Sequence, residues 1–393
     1  MARTLAEADS VVMDLTDSNP TRHGLTDPAI MDVLARHLGE AAAYTPDPKG
    51  WRPARDALAS RFGGEADDYW LTASTSEAYS WLFAALADPG DAVAAPVPGY
   101  PLIEPLARLA DIRQLPYRAF YIHPHGWELD LDSVRAVLAS PSIRAFVAVS
   151  PNNPTGAYVH PEETAALGHH CAQAGVPIIA DEVFFPYALT RCEWDAAHDS
   201  DLVLQSQSSH PRHVELEMPP HRRIADSAGP DAVVATLDGL SKLLAAPQLK
   251  LGWIRLSGPR ELTSPLARVL DTIADTFLSV NSPVACALPE LLGLADGTVT
   301  RVRQRCLTNL AALGALEDGF RVRHTDGGWM ALVDVPPVMD DDQLALALLD
   351  AGLTAHPGWF YDVADANVLA LSLLPEPSVF ADGLERLQSV INR

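Results

Sequence analysis

The stretch "RAFVAVSPNNPTGAYVHPEETAALGHHCAQAGVPIIADEVFFPY" (residues 144–187) decides the fold. It opens on a strand-length run rich in Val and Ala and turns through "SPNNPTG" (150–156). It continues in the helical pattern "PEETAALGHHCAQAG" and re-enters an apolar run, "VPIIAD". Runs without polar alternation are buried on both faces, and two of them joined by a helix read as parallel strands of a covered sheet. In such sheets ligands bind beyond the carboxyl ends of the strands. Chemistry is therefore expected in the punctuation after each strand.

The same alternation extends outward. "YWLTAS" precedes "TSEAYSWLFAALADPGD", "DAVAAPVP" precedes "YPLIEPLARLAD", and "AVVATLDG" closes the series. Beyond about residue 262 helical stretches dominate, with short strands "FRVRH", "GWMALVDV" and "NVLALSLL". This predicts an α/β chain with a large domain over 45–262 and a smaller α+β domain over 263–393. The N-terminal segment 1–44 is expected to pack with the smaller domain. A polar stretch at about 192–230, with little periodicity, reads as an inserted loop or flap, with a plain surface excursion as the equal alternative.

A net charge of −23 disfavours nucleic acid and anionic membrane as partners. No apolar run reaches the ~18 residues needed to span a bilayer, and Glu7 and Asp9 interrupt any signal-peptide pattern. Four cysteines without a CxxC pair suggest reduced thiols and a cytoplasmic protein. His123, His125, His169 and His170 lack a third ligand at suitable spacing, so no metal site is expected.

Several strand ends carry reactive groups. Ser74, followed by Glu77, reads as a capping box whose free N–H groups, with the hydroxyls of Thr75 and Ser76, could equally cradle a phosphate. "SPNNPTG" needs only to be a tight turn, but an Asn amide fixed by a following proline can also donate to a ligand oxygen. Asp181 ends a buried strand, where a carboxylate is costly unless it caps a helix or meets a cation. "LDGLSKLLAAPQLKLGW" (237–253) holds two of only three lysines, Lys242 and Lys250, in a chain with 25 arginines. Lysine, unlike arginine, can act as a neutral amine. Together these groups suit a ligand with a phosphate, a protonated ring nitrogen, a phenolic oxygen and a carbonyl that traps an amine; pyridoxal phosphate has all four.

With "NNPTG", "ADEVF" and "GLSK" in this order, the chain resembles the fold-type I, class I/II aminotransferase family of pyridoxal phosphate enzymes over nearly its full length. The resemblance makes 45–262 the cofactor-binding domain. It implies that Lys242 links covalently to the cofactor and shuttles the Cα proton, that Asp181 pairs with the pyridine N–H⁺, that Asn153 donates to the phenolic oxygen and that Tyr100 stacks on the ring. Ser74, Thr75, Ser76 and Ser241 match the phosphate cup. Lys250 stands where the family usually grips phosphate with arginine. Tyr44 matches a tyrosine that reaches the neighbouring subunit's phosphate, which implies a homodimer with shared active sites. Ser279 and Asn281 match less closely a pair entering across the same interface.

Three positions depart from the family pattern. Phe184 replaces a tyrosine that donates to the phenolic oxygen, and Tyr187 is expected to point elsewhere. Ala370 stands where the arginine for the substrate α-carboxylate belongs, leaving Arg22, Arg212, Arg222 and Arg223 as substitutes. Asp181 and Lys242 are 61 residues apart, longer than usual for the family. The leading expectation is amino transfer on an amino-acid-type substrate. The alternatives are β-elimination (a C–S lyase) or decarboxylation-coupled oxidative deamination of an S-conjugated, cysteine-like natural-product intermediate. A binding module that keeps the fold but not the catalysis is a third reading, disfavoured by the presence of Lys242, Asp181 and Asn153.

Overall fold

The computed structural model describes residues 12–189, 221–317 and 319–392. Its main feature is an eight-stranded sheet. In chain order the strands are β2 (Tyr69–Thr72), β3 (Ala92–Val97), β4 (Arg113–Ile122), β5 (Gly126–Leu129), β6 (Ile143–Val149), β7 (Ile178–Asp181), β8 (Val234–Gly239) and β9 (Gly252–Ser257), numbered after a short β1 at Met13–Asp14. The spatial order is β2-β9-β8-β7-β6-β3-β4-β5. Strands β8, β7, β6, β3 and β4 run parallel, whereas β9 is antiparallel to both its neighbours and β5 is antiparallel to β4.

The fully apolar composition of these strands has a physical consequence. Alternate residues feed two separate cores. Val147, Ile179 and Leu237 pack with Trp81, Phe83 and Leu270 on one face. Phe146, Ala148, Ile178 and Ala180 pack with Val134, Leu167 and Tyr117 on the other. Two elements escaped the sequence pattern. The β4–β5 hairpin is half exposed and lies at the sheet edge, and the helix expected through "YPLIEPLARLAD" is confined to Ile103–Leu109.

After β10 (Arg321–Val322) come β11 (Met330–Asp334), β12 (Leu353–Thr354), β13 (His356–Pro357) and β14 (Val368–Ser372). Strands β10-β11-β14-β13 form an antiparallel sheet, and β1 pairs in parallel with β12. One face of this sheet, with Ala331, Val333, Leu369 and Leu371, packs on the C-terminal helix Pro377–Ile391 through Phe380, Leu384 and Leu387. The other carries Met330, Leu332, Val368 and Ala370 against Trp127, Tyr361 and Val363. No helix among the described residues is long and apolar enough to cross a membrane. Most of the polar stretch at 192–230 lies outside the described residues; its end, from His221, is described.

The register brings the motifs to one edge. Val149, Asp181 and Leu237 lie side by side on β6, β7 and β8. Gly252, opening the reversed β9, faces both Gly239 and Thr72. The carboxyl ends of the parallel strands and the start of β9 therefore share one rim.

Candidate active site

Asp181 closes β7 and is buried. Its Oδ2 accepts from the Tyr79 hydroxyl (2.9 Å) and its Oδ1 from the Val183 N–H (3.2 Å). Burial pushes its pKa up to about 6, against the opposing pull of those bonds and of Lys242. Burial likewise pushes the Lys242 amine down to about 8, with Asp181 opposing. Lys242 sits in the short helix Leu240–Leu243 that follows β8. Its Nζ lies 5.1 Å from the Phe184 ring centroid and 4.8 Å from that of Trp329. The Tyr187 hydroxyl donates to the Lys242 backbone carbonyl (2.5 Å), so it points away from the amine. The result is an amine of reduced basicity with aromatic walls, coupled to a carboxylate that lacks a full counter-charge.

The helix Thr75–Leu86 begins beside this pair. Ser74 is its N-cap, with Oγ accepting from the Glu77 N–H (3.1 Å), which leaves the hydroxyl proton available. The reciprocal half of the expected capping box is shifted: Glu77 Oε2 accepts from Ala73 N–H rather than from Ser74. Gly252 makes this rim possible, since a Cβ there would sit 3.3 Å from both the Ser74 carbonyl carbon and the Thr75 nitrogen. Ser241 precedes Lys242 on the same rim. Lys250, exposed and at a left-handed φ of +52°, lies two residues before Gly252. Asn281 caps the helix Ser282–Leu291, and its Nδ2 donates to the Lys250 carbonyl (3.5 Å), while Ser279 Oγ donates to Glu77 (2.8 Å). Both residues thus stand beside the rim within this same chain.

The structure separates the two asparagines of "NNPTG". Asn152 is spent on the turn: its backbone accepts from Gly156 N–H, its Oδ1 from the Thr155 hydroxyl, and its Nδ2 donates to the Pro98 carbonyl. Asn153 instead has a buried Oδ1 without a hydrogen-bond partner. Gly156 adopts φ +70°, and a Cβ there would sit 1.7 Å from Thr325 Oγ1, so no side chain fits that turn. Tyr100, just beyond β3, is 49% exposed. Tyr44 is 76% exposed and lines a separate cleft with Trp51, Ser279 and Cys286.

On the β14 side, Ala370 is fully buried among Trp127, Met330, Leu332 and Tyr361. Three of the four substitute arginines already have partners. Arg223 pairs with Glu182 (2.8 Å) and Asp238 (3.2 Å), which corrects the expectation that it could meet a substrate. Arg22 is exposed beside Asp17 (3.5 Å), Arg222 has a partner of its own, and Arg212 lies outside the described residues. Arg323 is taken by Asp334 and Asp365.

Pyridoxal phosphate fits the residues present. A buried carboxylate short of a cation, an Asn153 amide whose Oδ1 has no partner and whose Nδ2 can donate to the phenolic oxygen, and a glycine-cleared helix start are what its ring nitrogen, ring substituent and phosphate would require. Two residues were not anticipated. Tyr79 is one helical turn after Thr75, a spacing that puts both on one face and could have revealed it. Trp329 follows "GG" at the start of β11 and carries no sequence signal of its own.

Comparison with known proteins agrees. The model of the family described as aminotransferase class I and II matches residues 10–368. Glutamate-pyruvate aminotransferase AlaA of Escherichia coli is 28% identical over 300 residues, 74% of this chain; the chain spans 66% of that relative's length. Alanine aminotransferase of Mycobacterium tuberculosis is 26% identical over 410 residues, covering 98% of this chain and 86% of that protein. Among solved structures, alanine aminotransferase from Pyrococcus furiosus superposes with a TM-score of 0.83 at 21% identity, covering 100% of this chain and 95% of that one. That likeness concerns the fold, which is the fold-type I arrangement.

Proposed function

Because the chain belongs to the aminotransferase class I and II family, whose members use pyridoxal phosphate, we propose that it is a pyridoxal phosphate-dependent aminotransferase moving an amino group between an amino acid and a 2-oxo acid. The observation that carries this reading is the buried Asp181–Lys242 pair at the ends of β7 and β8. Bound pyridoxal phosphate supplies an aldehyde that traps amines and a ring that accepts the electron pair left when a bond at Cα breaks.

The protein's part is nucleophile, proton carrier and field. Lys242, pushed down to about 8, offers a neutral Nζ in about a tenth of molecules at pH 7, far more than an ordinary lysine would. With cofactor and substrate bound, that Nζ would be the base that takes the Cα proton and later returns it. Asp181, steadied by Tyr79, favours a cation on the ring nitrogen. Asn153 would hold the phenolic oxygen and Tyr100 would cover the ring face. Ser74, Thr75, Ser76, Ser241 and Lys250 hold the phosphate, the lysine acting as a point charge. Tyr44 of the partner subunit reaches the same phosphate in a homodimer with shared sites.

The Phe184 and Trp329 rings, the latter backed by Tyr187, shield the amine and favour an apolar substrate side chain. The relatives are named as aminotransferases, and nothing favours elimination or oxidative decarboxylation. The test is a half-reaction: the cofactor-loaded protein, mixed with L-alanine or L-glutamate, should accumulate pyridoxamine phosphate and release the matching 2-oxo acid in equal amount. Pyruvate with free thiol from an S-substituted cysteine, and no pyridoxamine phosphate from any amino acid, would contradict it.

A further inference from the structure

Beneath the Asp181–Lys242 pair lies a second, largely buried charge cluster that this chemistry does not itself require. Glu182 follows Asp181 directly, and Asp238 precedes Lys242 by four residues on β8. Both are buried, and the side chain of Arg223 that joins them is 14% exposed. Arg223 donates to Glu182 Oε2 (2.8 Å) and Asp238 Oδ2 (3.2 Å). The remaining carboxylate oxygens are also satisfied: Glu182 Oε1 accepts from Ile224 N–H (2.7 Å) and Asp238 Oδ1 from Gly239 N–H (2.7 Å). The guanidinium lies 4.6 Å from the Phe185 ring centroid and 5.3 Å from that of Phe62, which leaves little room for screening water.

We propose that Arg223 is a positioning residue: by clasping Glu182 and Asp238 it fixes the two strand ends that carry Asp181 and Lys242 and sets the field in which Lys242 holds its proton. The inference rests on the cofactor reading above. Three carboxylates (Asp181, Glu182, Asp238) here face two cations (Arg223, Lys242), so one negative charge is left uncancelled. A protonated ring nitrogen against Asp181 makes the cluster neutral. The other titratable groups facing it are the Tyr69, Tyr79 and Tyr187 hydroxyls and the Cys306 thiol, all pushed up by burial and neutral. Arg255 and Arg301 stand farther out, beside the Tyr69 and Tyr187 hydroxyls rather than the carboxylates, and are held by the Phe62 and Leu25 carbonyls. The cluster thus stores negative charge behind the site, and Arg223 keeps that charge ionised and in place.

The test uses the holoenzyme's absorbance, titrated with pH. In Asp238→Asn, Arg223 still holds Glu182 but one negative charge is gone, so the nitrogen of Lys242 should lose its proton at lower pH. The midpoint should fall by about half a unit or more. Glu182→Gln carries the same prediction and replaces it if Asp238→Asn does not take up cofactor. Arg223→Met should lower the melting temperature of the cofactor-free protein, and adding Glu182→Gln with Asp238→Asn should recover it while leaving the midpoint shifted. Changed melting temperatures with an unmoved midpoint would make the cluster merely structural and overturn the proposal. A wild-type protein without any cofactor absorbance would instead refute the cofactor reading, so the two failures are distinguishable.

Discussion

The floor of the site and its far wall are built in opposite ways. At the ends of β7 and β8, Asp181, Glu182, Asp238, Lys242 and Arg223 crowd charge into a buried space, nearly every atom with a named partner. On β11 and β14, Met330, Leu332 and Ala370 meet Trp127 and Tyr361, and the cation beside them, Arg323 over the Trp127 ring, is already paired with Asp334 and Asp365. On the proposed reading the floor would receive one charged, polar ring, and removing either cation there leaves carboxylates uncompensated. The wall is apolar packing, able to discriminate by size but not by charge. Catalytic power should therefore be sensitive at the floor, and substrate choice at the wall.

Substitutions can break that contrast. The largest loss is expected for Lys242→Ala, which removes nucleophile and base together; steady-state turnover should fall at least about 10³-fold. Asp181→Asn deprives the ring nitrogen of its counter-charge, and kcat should drop about 10²-fold with the cofactor still bound, read by turnover alongside absorbance. Ala370→Arg tests the wall. A guanidinium forced among Trp127, Met330 and Leu332 is overpacked and unpaired, so the fold should lose about 3 kcal/mol or more in denaturant titration. If it were tolerated and tightened amino-acid binding, the wall would be an open clamp and the contrast would fail. Phe184→Tyr adds a hydroxyl near the amine; lowering the pH midpoint of the holoenzyme absorbance by about one unit would supply the donor missing from this chain.

The smallest effect is on stability against pH. Asp181 and Asp238, both pushed up to about 6, bind protons more tightly folded than unfolded. Their contribution is present below the ordinary carboxylate range and is lost as pH rises through about 6. Lys242, pushed down to about 8, works the other way; its contribution holds above the ordinary lysine range and is lost as pH falls through about 8. Between those values the cofactor-free protein carries both costs. The melting-temperature gap between loaded and cofactor-free protein should therefore widen from about pH 5 to about pH 7.5.

The legibility of the chain follows the same divide. Parallel strands announce themselves because burial on both faces forces unbroken apolar runs, as in "RAFVAV" and "PIIA". The edge hairpin β4–β5 and the reversal of β9 do not, since half-exposed strands mix polar residues and strand direction leaves no local mark. Asp181 closes a strand and Asn153, Ser74 and Lys242 each follow one, which is what makes all four stand out as candidates in the sequence. Tyr79 and Trp329 act from a helix interior and a strand start, where an aromatic residue looks like any core residue. Arg223 was misread for a related reason: an arginine after a polar stretch resembles a free surface cation, and only the packing brings Glu182 and Asp238 to it.

The most direct measurement is borohydride reduction of the cofactor-loaded protein followed by peptide mapping. The account predicts a single pyridoxyl adduct on Lys242, with neither Lys49 nor Lys250 modified. An adduct confined to another lysine, or none at all, would contradict it.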